Sequence, residues 1–231
     1  MNERPLLAIE TSVPTARVAV LGGDGSVRAR AEKTAARHSS NLLKLCDEAL
    51  GAAGVTVGEL AAIACGAGPG SFTGLRVGLA VAKGLALPTA LPLVLISSLE
   101  ALAQDLLDLE GPPGALVVPC LDAGKEQVYA RFFGAATSED WVLEPAVLID
   151  RIRGTSYTPV LGGTGADRYR ERFTAALGEA AVRAQVPGPS AVSVGKLALE
   201  RFRRGETDDL GRAVPSYGRP PDITTPKRNR L

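Results

Sequence analysis

The sequence predicts an α/β fold of two similar lobes, and three observations predict it. Short apolar stretches of strand length alternate with longer stretches of helical period along the 231 residues. An opening pattern of strand, acidic residue, tight turn and second strand comes twice, residues 116–121 running into Asp122 as residues 6–9 run into Glu10. Between the two copies, Gly111-Pro112-Pro113-Gly114 reads as a boundary, giving an N-terminal lobe over 1–110 and a C-terminal lobe over 111–231.

Residues 6–9 and 17–21 read as strands around a turn containing Pro14, and residues 26–32 as a third strand after Gly22-Gly23-Asp24-Gly25. Helical periodicity over 41–53 follows, with Ser39 or Ser40 as its cap and Gly54 placed to stop it. A strand over 61–65, the loop Gly66 to Gly70, a helix over 72–87 ended by Pro88, a strand over 93–96 and a helix over 99–109 complete the first lobe. In the second, strands over 116–121, 127–133 and 160–161 lead through Gly162-Gly163-Thr164-Gly165 to a helix over 167–177 and a closing helix over 190–203. A strand ending in an acid beside a turn also resembles the start of actin-like and Hsp70-like nucleotide-binding lobes. The turn Thr11-Ser12-Val13-Pro14-Thr15 has no glycine, however, and Pro14 lacks an N–H, so it makes a poor phosphate cradle and reads equally as an ordinary hairpin.

Composition narrows the function. Apolar residues at 45% and charged residues at 22% suit a folded chain. With 26 basic against 25 acidic side chains there is no large field to gather a polyanion, and the basic tail residues Lys227, Arg228 and Arg230 read as a solvated terminus. Cys46, Cys65 and Cys120 are odd in number and set in apolar surroundings, which suits reduced core thiols and a cytoplasmic location. Met1 to Pro5 includes Glu3 and precedes a short strand rather than a signal-peptide apolar region, and no run reads as a membrane span.

The segment Gly66-Ala67-Gly68-Pro69-Gly70-Ser71-Phe72-Thr73-Gly74-Leu75-Arg76 fits neither the Walker pattern, nor the dinucleotide fingerprint, nor a nucleophile elbow. In the helix after it, Gly74, Gly78, Ala82 and Ala86 repeat every four residues as a smooth stripe. Apolar and small positions there cover about 200° of the circumference, and in the preceding helix Leu42, Leu43, Leu45, Cys46, Ala49, Leu50 and Ala53 cover about 160°. The expected partner surface comprises Leu42, Leu45, Cys46 and Ala49 with Gly74, Leu75, Arg76, Gly78, Leu79, Ala82 and Ala86; packing of these faces within the chain is the alternative.

The run Gly68-Pro69-Gly70-Ser71-Phe72-Thr73-Gly74-Leu75-Arg76, with Gly78 and Gly84-Leu85-Ala86, closely resembles the TsaB (YeaZ) family. Ile9-Glu10-Thr11-Ser12, His38-Ser39-Ser40-Asn41-Leu42, Leu121-Asp122-Ala123-Gly124 and Val214-Pro215-Ser216-Tyr217 follow in the family's order. The resemblance implies the actin-like ATPase (ASKHA) superfamily fold, with two ribonuclease-H-like lobes. It also implies a helper role in threonylcarbamoyladenosine modification of tRNA next to the anticodon. The implied partners are a catalytic TsaD-type subunit, docked through the first two helices, and a TsaE-type ATPase; TsaC makes the activated intermediate, tRNA is met only through the complex, and a homodimer is possible in isolation. Tyr217-Gly218-Arg219 departs from the common Tyr-Leu-Arg, and Glu10 stands where aspartate is frequent.

No catalytic, cofactor or metal site is expected in the chain alone. The single histidine, His38, cannot build a histidine-rich metal site, and a peptidase-like hydrolase would depend on it. Glu10 and Asp122 could hold Mg²⁺ only if a nucleotide supplied further ligands, and otherwise read as polar strand ends. A free-standing actin-like phosphotransferase and a peptidase-like hydrolase are therefore the alternatives to a partner subunit.

Overall fold

The computed structural model describes residues 4–34, 40–109, 114–183 and 185–218. His38, Ser39 and the tail residues Lys227, Arg228 and Arg230 lie outside them. Strands β1 (Leu6–Glu10), β2 (Thr15–Leu21) and β3 (Val27–Thr34) form the expected meander; helix α1 (Ser40–Ala53), β4 (Ala62–Gly68), helix α2 (Phe72–Thr89), β5 (Leu93–Ser97) and helix α3 (Ser98–Leu107) follow. Gly54 ends α1 at φ +67°, a left-handed conformation that favours glycine, and the Val55 N–H donates back to the Leu50 carbonyl at 3.1 Å. Helix α2 runs past Pro88 to a left-handed cap at Ala90, because near a helix end the lost proline N–H costs a single bond.

The first sheet has the order β3-β2-β1-β4-β5, antiparallel through β3-β2-β1 and parallel through β1-β4-β5. Strand alternation sends Leu7, Ile9, Val18, Val20 and Ile63 to the side of α1 and α2. Leu6, Ala8, Ala19, Leu21 and Ala64 face the other way.

The second sheet is built from β6 (Leu116–Gly124), β7 (Gln127–Ala130), the two-residue β8 (Phe133–Gly134), β9 (Trp141–Leu143) and, after α4 (Pro145–Arg153), β10 (Pro159–Gly162). Its order is β10-β6-β7-β9, with β8 on β6. Strand β6 pairs antiparallel with β7 and parallel with β10, as β1 does with β2 and β4, and a parallel bridge from Leu161 to Val182 stands where a fifth strand would lie. The duplication read from the two acidic strand ends therefore extends to strand order.

Helices α5 (Thr164–Arg168), α6 (Arg170–Leu177) and α7 (Ala191–Arg203) complete the chain. The single helix expected over 167–177 is two helices with a break at Tyr169, while β9 and α4 occupy a stretch for which the sequence predicts no element. Helix α7 follows the second sheet in sequence yet packs on β1 and β2 of the first. Gly195 permits the approach, since a Cβ there would collide with Leu21. Asp105 of α3 fixes the start of α7 by accepting from the Ser190 N–H at 2.7 Å and from the Ser190 and Ser193 hydroxyls at 2.6 Å each. Helix α3 packs on β6 as well as beside α7, so Leu99, Leu102 and Leu106 share a cluster with Val117, Leu121 and Val160.

Candidate functional site

The glycine-rich segment connects β4 to α2 and crosses the β1–β2 turn. Its glycines are small because the turn lies against them: a Cβ at Gly70 would collide with the Ser12 carbonyl, one at Gly74 with the Thr11 carbonyl, and one at Gly78 with the Thr11 hydroxyl. Hydrogen bonds fix the contact. The Ser71 N–H donates to the Ser12 carbonyl at 2.7 Å, the Thr11 hydroxyl donates to the Gly74 carbonyl at 2.9 Å, and the Ser71 hydroxyl caps α2 by accepting from the Gly74 N–H at 3.2 Å.

Glu10 lies fully buried beneath this junction. Its carboxylate accepts from the Ser12 N–H at 2.5 Å and from the Ser98 hydroxyl at 3.0 Å, and Ser98 in turn accepts from the Gly68 N–H at 3.2 Å. Burial raises its pKa above the ordinary 4.5, against the opposing pull of the Ser12 and Ser98 hydrogen bonds and of Arg17. Gly66 seals the remaining side, since a Cβ there would collide with the carboxylate.

A magnesium nucleotide, the ligand this fold class implies, does not fit the first turn. The Ser12 N–H is spent on Glu10, Pro14 has no N–H, and the carbonyls of Thr11 and Ser12 face the glycines of α2 and its loop, so the cradle is filled by the chain itself. In the second unit Asp122 repeats the local geometry by accepting from the Gly124 N–H at 3.1 Å, but Arg168 pairs with it at 2.8 Å and stands where a cation would bind. Among the described residues no three His, Cys, Asp or Glu side chains converge as metal ligands. All three thiols are free and buried; burial pushes Cys46 up to about 12 and raises Cys65 and Cys120 as well.

The expected partner surface requires correction. Leu42, Leu45, Cys46, Ala49, Leu75, Gly78, Leu79, Ala82 and Ala86 are buried within the chain, Gly74 is half-buried against Thr11, and Arg76 alone is exposed. The wide apolar arcs face β2, β3 and β4 and, on α2, the crossing turn as well. The outward faces of the same helices carry other residues, among them Leu43 at 46% exposure, Phe72 at 47%, Leu87 at 72%, and Ala80.

A C-terminal strap joins this surface. The Ser216 N–H donates to the Ala67 carbonyl at 2.7 Å, and Tyr129 of β7 donates its hydroxyl to the Tyr217 carbonyl at 3.0 Å. The Tyr217 ring lies 4.8 Å from that of Phe72, while Arg76 stacks 3.8 Å from the Phe72 centroid and donates to the Tyr217 hydroxyl at 3.0 Å. Gly218 turns at φ +67°, and a Cβ there would crowd Tyr129, which is why glycine suits this position. Both motifs are visible in the sequence, but their contact is not, because the second sheet intervenes between them.

Comparison with known proteins agrees with this geometry. The profile of the family described as TsaD, tRNA N6-adenosine threonylcarbamoyltransferase, matches residues 30–183. The tRNA threonylcarbamoyladenosine biosynthesis protein TsaB of Escherichia coli (strain K12) is 30% identical over 219 residues, covering 92% of this chain and 93% of that protein. Among solved structures, YeaZ from Pseudomonas aeruginosa superposes with a TM-score of 0.76 at 29% identity, covering 93% of this chain and 99% of that one. The ethanolamine utilization protein EutJ from Carboxydothermus hydrogenoformans shares the fold alone, with a TM-score of 0.53 at 17% identity over 85% of this chain and 89% of that one. The two mixed sheets with their flanking helices are the α/β fold that these solved structures share. Among the described residues, no helix is long and apolar enough to cross a membrane.

Proposed function

The chain belongs to the TsaB (YeaZ) family of tRNA threonylcarbamoyladenosine biosynthesis proteins, and from that premise we propose that it is a cytoplasmic partner subunit of the modifying assembly, without a catalytic centre of its own. One observation carries the reading: the turn that could cradle a phosphate is filled by the chain's own glycine loop, and the strand-end acid beside it is sealed. An interior used in this way favours a scaffold over a nucleotide-driven enzyme.

The partner is a TsaD-type catalytic subunit, with a TsaE-type ATPase joining the assembly, which presents the tRNA. Docking uses the outward faces of α1 and α2, where Leu43, Ala80 and Leu87 offer apolar contact and the Phe72, Arg76 and Tyr217 cluster a polar rim. In isolation the same faces support a homodimer. We read the chain as two lobes meeting near residue 110, with α7 belonging spatially to the first.

Size-exclusion chromatography with the TsaD-type subunit tests this. Co-elution is expected, and Leu43→Arg or Ala80→Arg, both outward-facing, is expected to weaken it at least tenfold with an unchanged circular dichroism spectrum. Failure of the unsubstituted chain to co-elute, or thermal stabilisation by Mg-ATP, would favour a free-standing phosphotransferase instead.

A further inference from the structure

The rims of the two sheets are not treated alike. In the first sheet, the chain past α7 covers β5, where Asp208 bridges Leu93 and accepts from the Leu95 N–H at 2.8 Å. In the second, Val182 bridges Leu161 of β10, and β9 on the far side is only 3 residues long. Strand β3 differs from all of these. It forms the other rim of the first sheet over 8 residues, and among the described residues no strand but β2 pairs with it. A long rim of unpaired N–H and C=O groups is a template for another strand, which is why folded chains shorten, cover or bend such rims. Here the one irregularity lies near Val27, and the register against β2 is unbroken from Ala29 to Thr34.

Side chains along the rim select its occupant. Ala29 and Ala31 are half-buried and pack on the α1 side of the core, while Arg30 and Glu32 lie on the α7 side. In antiparallel pairing of β3 with a second β3, a two-fold axis at Ala31 sets Ala31 against Ala31, Ala29 against Lys33 and, twice, Arg30 against Glu32. Like charges do not meet in that register. The neighbouring registers that keep each side chain on its own face are centred on Arg30 or on Glu32, and each sets that charge against its own copy.

Both charges are placed to bridge. Arg30 has no carboxylate partner among the described residues, and Glu32, with its side chain 68% exposed, holds Arg17 at 3.2 Å through Oε2, which leaves Oε1 open. A cavity of about 380 Å³ lined by Arg17, Arg30, Glu32, Ser190 and Val192 gives opposing side chains room beside the rim.

We propose that β3 pairs antiparallel with β3 of a second copy of this chain about a two-fold axis through Ala31, joining the two first sheets into one, with reciprocal Arg30–Glu32 ion pairs setting the register. The pairing uses strand backbone rather than the outward helix faces, so it goes beyond the docking proposed above and does not depend on it.

Sedimentation equilibrium of the full chain over a concentration series tests the assignment, with circular dichroism and melting temperature as folding controls. A monomer–dimer equilibrium that weakens as KCl is raised is expected for the unsubstituted chain. Arg30→Glu makes both cross-axis pairs repulsive and is expected to weaken the dimer about tenfold. Combining Arg30→Glu with Glu32→Arg restores opposite charges across the axis and is expected to return the dimer to within about threefold of its original strength. Should either variant melt early, Arg30→Gln, which only removes the pairs, is expected to weaken the dimer about threefold and decides in its place. A chain that is monomeric at every concentration overturns the proposal, as does a dimer that Arg30→Glu leaves unchanged or that the double substitution fails to recover. Strengthening by Arg30→Glu would put Arg30 on the axis and overturn the register. A dimer lost to Leu43→Arg but not to Arg30→Glu belongs to the helix faces, which overturns the strand pairing.

Discussion

Glu10 shows how one residue can carry a fold's history without its chemistry. Its place at the end of β1 is legible in the sequence, but its burial beneath Gly66 and Ser98 is not, because those contacts join residues far apart in the chain. Since burial raises its folded-state pKa above the ordinary 4.5, the folded chain holds the proton more tightly than the unfolded one. Stability from this group is therefore full below the unfolded value and is lost as pH rises through the folded one. Glu10→Gln keeps the shape and removes the titration, so its melting temperature is expected to gain on that of the unsubstituted chain as pH rises from about 4 to about 8; parallel profiles would refute this. The thiols offer a second check. With Cys46 pushed up to about 12 and Cys65 and Cys120 raised and buried, a disulfide reagent near pH 8 should leave the native chain unmodified and label all 3 cysteines after urea unfolding.

At the scale of elements, the meander and α1 follow from local rules, because Gly25 and Gly54 supply left-handed turns where strand and helix must end. Helix α2 shows where local rules stop. Its small-residue stripe correctly signals a close approach, yet the approaching group is the β1–β2 turn rather than another helix. Periodicity reports which face is buried and is silent on what covers it. Gly78→Ala is accordingly expected to cost about 1–3 kcal/mol by overpacking against the Thr11 hydroxyl. Thr11→Ala in the same chain should recover part of that cost, and strictly additive losses in urea unfolding would show that the two do not touch. Strand β9 escapes the sequence because three residues of strand give too short a pattern, whereas α4 carries local signals that the expectation missed: Leu148, Ile149 and Ile152 lie at helical spacing after Pro145 in the first turn, with Gly154 at the C-cap.

For the whole molecule, the return of α7 to the first sheet governs what can fold alone. Without it, Leu6, Ala8, Ala19, Leu21 and Val94 would face water. Past α7, Asp208 also joins the first sheet by accepting from the Leu95 N–H at 2.8 Å. A fragment of residues 1–110 is therefore expected to lack cooperative unfolding and to gain it when residues 186–218 are joined through a flexible linker. A sharp thermal transition in the short fragment would contradict this packing. By itself the sequence determined the α/β class, the duplicated strand grammar and the family, because each resides in residues adjacent in the chain or repeated at fixed spacing. Tertiary structure alone decided that the glycine stripe is interior, that the C-terminal strap seats on Phe72 and Arg76, and that α7 crosses back to the first sheet. Those outcomes depend on which distant surfaces exclude water together, a property of the assembled chain rather than of any local stretch.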